Sequence, residues 1–208
     1  MKFKSVYIVN GSMAYVRLFE KLGFHLTKHL GSASLVCFTG GEDVTPALYG
    51  AAAHRTTCNS VDRDEAELGV FETCRRSDIP LVGVCRGGQF LNVASGGEMY
   101  QDVSNHCGDH EITDALTGET VLVSSTHHQM MKPSKKGLLV AYSTILSKRE
   151  WFDHQIFQRD ESNTGIEAVW YEHTKALCFQ PHPEFTGDRY AHMQEYFEQL
   201  LNRYIFKD

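Results

Sequence analysis

The chain has 208 residues, 42% hydrophobic and 22% charged, values that suit an ordinary globular protein with one core, and residues 1–208 are read as a single domain. Twenty Lys and Arg against 26 Asp and Glu leave a net charge of -6, which argues against a nucleic-acid partner. No apolar run approaches the roughly 20 residues of a membrane span, and after Met1-Lys2-Phe3-Lys4-Ser5 the run Val6 to Val9 is too short for the core of a secretory leader.

Val6-Tyr7-Ile8-Val9 reads as a short buried strand. Ala14 to Leu22 follows as a helix, with Val16, Phe19 and Leu22 on one face and Gly23 as its stop. Phe24 to Thr27 offers a weak second strand. Leu35 to Phe38 is a clear apolar run that stops at Gly40-Gly41. Residues 62–77 carry helical spacing through Leu68, Phe71 and Cys74. Pro80 to Val84 is a strand closed by Cys85, and Gln89 to Ser95 is a helix ending at Gly96-Gly97. Later runs are Val121 to Val123, Leu138 to Val140, Ile166 to Trp170 and Ala176 to Phe179. The tail from Arg189 to Tyr204 spaces Tyr190, Met193, Phe197, Leu200 and Tyr204 helically, a core pattern. Strands alternating with helices predict an α/β sheet, mostly parallel and flanked by helices. The strand-rich second half predicts a small antiparallel addition.

Six cysteines, at positions 37, 58, 74, 85, 107 and 178, form no CxxC pair, so reduced thiols in a cytoplasm are expected. Cys85 differs from the rest. It ends an apolar strand, is followed by Arg86-Gly87-Gly88, and opens a helix. That is the pattern of a nucleophile elbow, with sulfur in place of a serine hydroxyl. The turn exposes the side chain, and the helix amino terminus favours a thiolate. Gly83 and Gly87 permit close backbone packing, and the Arg86 amide points where an oxyanion develops. The competing reading of Cys85 alone is a buried structural cysteine. A base for the thiol lies in Gln180-Pro-His182-Pro-Glu184, where the prolines hold the chain extended. Residues two apart then share a side, so Glu184 can orient His182.

Together these segments resemble the class I glutamine amidotransferase superfamily, with Gly83-Val-Cys85-Arg-Gly87-Gly-Gln89 and His182-Pro-Glu184 as elbow and late motif. The chain is most similar to the γ-glutamyl hydrolase branch, which includes the γ-glutamyl-γ-aminobutyrate hydrolases. Four further segments support it in order: Gly40 to Gly50, Asp62 to Glu67, Leu91 to Gly97 with Gln101-Asp102, and Ser125-Thr-His127-His128-Gln129. The resemblance implies a flavodoxin-like fold and a γ-glutamyl thioester on Cys85. It makes Cys85, His182 and Glu184 a catalytic triad. The oxyanion would sit between the backbone amides of Gly41 and Arg86. Gln89 and His128 would line the glutamyl site, with Asp43 on its loop or touching substrate. No cofactor is implied, and the partner is a small γ-glutamyl substrate.

Two departures from the resemblance stand out. The half before Gly40 is compressed, and residues 143–165 are longer than the tight turn expected there. That insert is expected to form a lid or leaving-group wall. Asn105-His106-Cys107-Gly108-Asp109-His110 matches no zinc spacing and reads as a polar loop. His127 and His128 are adjacent on a strand and should face opposite ways. No metal site is expected. Two activities remain open: a free-standing hydrolase of γ-glutamyl amides, or a glutaminase supplying ammonia to a separate synthetase partner.

Overall fold

The structure is a computed structural model that describes residues 4–207; Met1 to Phe3, part of the leader reading, and Asp208 lie outside it. Strands β1 (Ser5–Val9), β2 (His25–Leu26), β3 (Leu35–Phe38), β4 (Leu81–Val84) and β14 (Ala176–Phe179) pair in parallel, in the order β2-β1-β3-β4-β14. The sheet continues antiparallel through β13 (Gly165–Tyr171), β10 (Leu138–Ser143), β7 (His110–Asp114) and β8 (Thr120–Val123).

Among the described residues, four α-helices cover the sheet: α1 (Met13–Lys21), α2 (Val61–Arg76), α3 (Arg86–Ala94) and α4 (Ala191–Leu200). Leu35 and Cys37 face one core with Leu18, Phe19, Phe197 and Leu200. Val36 and Phe38 face the other with Phe71, Cys74, Phe90 and Leu91. Both faces of the parallel strands are therefore covered, which is why they read as continuous apolar runs. The antiparallel part is larger than expected, four strands of one nine-stranded sheet. The C-terminal aromatics do enter the core, and a π-helical turn (Leu201–Phe206) extends α4.

Some elements differ from the reading of the sequence. The buried face of α1 is Tyr15, Leu18 and Phe19, rotated from the Val16 and Leu22 face. Its cap is Ser12, whose hydroxyl accepts from the Ala14 amide, and Gly23 with φ 79° ends it. Strand β2 has only two residues, both exposed, because the chain at this edge has little to bury.

Residues 147–162 are not an irregular loop. They form a hairpin of β11 (Ser147–Asp153) and β12 (Ile156–Ser162) that pairs with β6 (Asp102–Val103). Few of its residues are buried, so no apolar alternation marked it as strand. A last pair, β5 (Glu98–Tyr100) with β9 (Met130–Lys132), packs below α3. No helix among the described residues is long and apolar enough to cross a membrane.

Candidate active site

Cys85 joins β4 to α3 at φ 51° and ψ -116°, a conformation that costs a non-glycine residue about 1–3 kcal/mol. The surrounding backbone enforces it. The Cys85 amide donates to the Phe179 carbonyl of β14 at 2.8 Å, and its carbonyl accepts from the Gln89 amide at 3.0 Å. A Cβ on Gly87 would lie 2.2 Å from the Phe38 carbonyl oxygen, and one on Gly83 would lie 2.2 Å from the Gly87 oxygen. Only glycines let α3 press onto the ends of β3 and β4 this closely, so the turn stays sharp and the thiol sits at the carboxyl edge of the sheet.

His182 follows β14 and packs against Cys85. Its Nδ1 is 2.7 Å from Glu184 Oε1, but the chain is not extended as expected: Pro183 and Glu184 form a turn closed by the Phe185 amide donating to the His182 carbonyl at 3.1 Å, and the turn folds the carboxylate back onto the ring. Its Nε2 is 2.8 Å from Thr126 Oγ1, and its ring stacks on Phe185. Burial pulls the imidazole pKa down, but the contacts with Cys85 and Glu184 outweigh burial and push it up to about 10. The charged ring therefore contributes stability that is fully present below pH 6.5 and is lost as pH rises through about 10. Replacing His182 with Gln is expected to cost on the order of a few kcal/mol at pH 6 and much less at pH 10. Urea unfolding of both proteins at the two pH values measures the difference, and a cost independent of pH would reject the charged ring.

Tyr15 of α1 completes this corner. The Gly40 amide donates to its hydroxyl at 3.0 Å. Burial, then the neighbouring Glu184 carboxylate, keeps the phenol protonated far above its usual range. Gly40 itself lies at the centre: a Cβ there would sit 3.4 Å from His182 Cε1 and 3.7 Å from Cys85 Cβ. Gly41, the expected oxyanion donor, follows at φ 148°. Tyr15 and Thr126 were not singled out in the sequence. Tyr15 reads there as one more apolar residue of a helix, and Thr126 lies inside the Ser125 to Gln129 motif without being marked out by it.

The acidic segment Asp62 to Glu67 clamps this turn from beneath. Arg86 is buried, and its guanidinium reaches Asp64 through Nη2 and Glu67 through Nη1. Glu67 also accepts from Arg63 Nε at 2.9 Å and from Asn10 at 3.1 Å. Arg63 Nη2 donates to the Thr39 and Gly40 carbonyls at 3.1 and 3.0 Å. Asp64 accepts from the Thr45 amide at 2.9 Å. One set of ion pairs thus ties α2 to both the elbow and the glycine loop.

Of the residues expected to line a substrate site, Asp43 and His128 meet each other. His128 Nε2 is 3.2 Å from Asp43 Oδ1, and its Nδ1 is 3.4 Å from Asp102 Oδ1. The bond to Asp43 raises the His128 pKa above its usual value against partial burial. Asp43 also anchors its loop, accepting from the Cys58 amide at 2.8 Å. Gln89 is buried, and its amide donates to Gln129 O at 3.1 Å and Gln180 Oε1 at 3.2 Å. His127 and His128 do face opposite ways, one buried and one half-exposed. Residues 105–109 are a largely exposed loop, as expected, but His106 is fully buried and His110, which opens β7, nearly so, because both pack on Glu167 of β13. Glu167 lies too far along the chain for spacing to suggest the contact.

A strand-borne cysteine beside a histidine and a glutamate, at the carboxyl edge of a mostly parallel sheet, defines the class of glutamine amidotransferase-like folds. A glutamine amidotransferase from Thermotoga maritima has the same fold, with TM-score 0.61 at 16% identity over 98% of this chain and 85% of that one. The Peptidase C26 family model matches residues 21–184, and the chain belongs to that family. A Schizosaccharomyces pombe protein provisionally named a glutamine amidotransferase is 30% identical over 191 residues, 81% of this chain and 68% of that one. A carbamoyl phosphate synthase small chain from Helicobacter pylori is 26% identical over 145 residues, 69% of this chain and 32% of that one. The family relation makes this a glutamine amidotransferase-like enzyme acting on amide bonds.

Proposed function

We propose that the chain hydrolyses the γ-glutamyl amide of glutamine or of a γ-glutamylated amine through a thioester on Cys85. The observation that carries this reading is the strained elbow at Cys85 with the His182–Glu184 pair packed against it. Cys85 Sγ attacks the γ-carbonyl carbon, and the oxygen takes the negative charge. The backbone amides of Gly41 and Arg86 stabilise that oxyanion. His182, charged at neutral pH, gives its proton to the leaving nitrogen as the C–N bond breaks. Water then attacks the thioester, His182 takes its proton, and the C–S bond breaks to release glutamate. Glu184 holds the ring in register. Gln89, His128 and Asp43 shape the glutamyl site.

A second reading is favoured by the likeness to a carbamoyl phosphate synthase small chain: a glutaminase whose ammonia goes to a separate synthetase. The isolated chain separates the two. It is incubated with glutamine and a panel of γ-glutamyl amides, and glutamate is followed by mass spectrometry. Turnover of a substituted amide by the chain alone supports the hydrolase. No turnover of any substrate, in folded protein whose Cys85 still alkylates, favours the synthetase-dependent glutaminase.

The 147–162 hairpin is the proposed leaving-group wall. Its tip is tied to the loop after Gly50 by the Ala52 amide donating to His154 O at 2.7 Å, and Phe157 stacks on His54. Ile156 and Phe157 nonetheless stay 66% and 45% exposed. Changing both to serine is expected to lower kcat/KM for bulky apolar amides about tenfold while sparing glutamine. Equal kcat/KM changes for all substrates would leave the hairpin no part in selectivity.

A further inference from the structure

Among the described residues, His106, His127 and Glu167 form a buried group of potential metal ligands away from the thiol. Glu167, near the start of β13, meets His106, His110 and His127, which come from two other segments. An isolated antiparallel bridge between Cys107 and Thr126 brings those segments together and sets His106 beside His127. The His106 and His127 rings lie 5.0 Å apart, centroid to centroid. His110 Nε2 is 3.0 Å and His106 Nδ1 is 3.3 Å from Glu167 Oε1, and His127 Nε2 is 4.0 Å from Oε2.

The other nitrogen of each ring settles what these atoms carry. His127 Nδ1 is 2.8 Å from the Gln129 carbonyl, and His110 Nδ1 is 3.2 Å from the Gly108 carbonyl. A carbonyl only accepts, so both Nδ1 atoms bear hydrogen. His106 Nε2 is 2.8 Å from Ser147 Oγ, whose own hydrogen goes to the Ile145 carbonyl at 3.4 Å. With the serine hydrogen placed there, His106 Nε2 is the donor of that pair. The lone pairs of His106 Nδ1 and His127 Nε2 then face one buried carboxylate, to which His110 Nε2 donates a hydrogen bond at 3.0 Å. His106 Nδ1, His127 Nε2 and Glu167 Oε2 have no hydrogen-bond partner at all. Lone pairs aimed at a carboxylate in a dry interior call for a cation between them, either a proton or a metal ion.

We infer that Glu167, His106 and His127, with His110 as fourth donor, form a buried site for a divalent transition metal of the zinc type. Three imidazoles and a carboxylate suit Zn²⁺ or Co²⁺ rather than Mg²⁺ or Ca²⁺. The carbonyl and serine partners behind each ring are the arrangement that fixes histidine ligands. The ligand atoms of His106, His127 and Glu167 already lie within 4.8 Å of one another. A tetrahedral site needs about 3.4 Å between donors, so side-chain shifts of about 1 Å close it. The ion would lock the segment around His127 to β13, and that segment carries Thr126 to His182. The Gln180 amide, on the strand leading to His182, donates to the Glu167 carbonyl at 2.8 Å. The site is thus structural and adjacent to the thiol, not part of it.

The test is made on full-length protein carrying Cys85→Ala, so that the active-site thiol cannot bind metal. After dialysis against a chelator, Co²⁺ and Zn²⁺ are added singly. The expected result is one equivalent of Co²⁺ with intense tetrahedral bands, no sulfur charge-transfer band, and a higher Tm. Adding His127→Gln, or separately Glu167→Gln, is expected to weaken binding at least about 100-fold. Absence of tetrahedral Co²⁺ bands and of any Tm rise in the Cys85→Ala protein would overturn the inference, and that reading does not depend on how the other variants fold. Unchanged stoichiometry and spectrum in His127→Gln would overturn it too, by placing the metal elsewhere.

Discussion

Cys85→Ala is expected to lower kcat/KM for any γ-glutamyl amide by about 10⁴-fold or more. At about 1.4 kcal/mol per factor of ten, that is at least about 5.5 kcal/mol of transition-state stabilisation. The size follows from the proposed covalent route: without sulfur, water must attack the amide directly, and the oxyanion donors alone provide only residual catalysis. Cys85→Ser should lie near the alanine variant, because the site is built around a thiol. Stability should move the other way in Cys85→Gly. The φ of 51° and ψ of -116° burden any side chain at this position, and glycine is free of that strain. Cys85→Gly is therefore expected to keep or raise Tm while losing activity, and Cys85→Ala to keep the strain of the parent. Residual activity within tenfold of the parent in purified Cys85→Ala would end the role of Cys85 as nucleophile.

The parts of this site that could be read from sequence are those whose chemistry is local. Cys85 is announced by four apolar residues before it and glycines after it, because the strand-to-helix turn needs both within a few positions. His182 and Glu184 sit two apart in a proline-stiffened segment, so their pairing at 2.7 Å is local, though a turn over residues 182–185 makes it and not an extended strand. The parallel strands were legible because both faces are buried. The hairpin at 147–162 was not, since its residues face solvent on both sides and leave no periodic mark. Tyr15 reaches the site from a helix whose pattern explains it without the site, and Thr126 stands unmarked within the Ser125 to Gln129 motif. Glu167 is 61 positions beyond His106 and is brought to it by the sheet order β13-β10-β7 and the Cys107–Thr126 bridge. In the same way, Asp62 to Glu67 was recognisable as a motif, but its reason, a buried arginine 19 to 22 residues later, is tertiary.

That buried arginine carries the largest expected effect on stability. Arg86→Met is expected to destabilise the protein by about 3–5 kcal/mol, because it strands two carboxylates that are almost wholly inaccessible. For a chain of this length the loss corresponds to a Tm lower by roughly 10 °C. Glu67 retains Arg63 and Asn10, and Asp64 retains the Thr45 amide, so the damage falls short of unfolding. Arg86→Lys should be intermediate, since one ammonium cannot span both carboxylates as the planar guanidinium does. The decisive variant removes the charges but keeps the acceptors: Arg86→Met combined with Asp64→Asn and Glu67→Gln should regain most of the lost stability. The backbone amide of residue 86 survives every one of these changes. Chemistry in the triple variant should therefore fall only as far as the elbow and the Thr39–Thr45 loop lose their common anchor. A single Arg86→Met variant that loses less than about 1 kcal/mol in urea would mean that the clamp beneath Cys85 does not hold in solution.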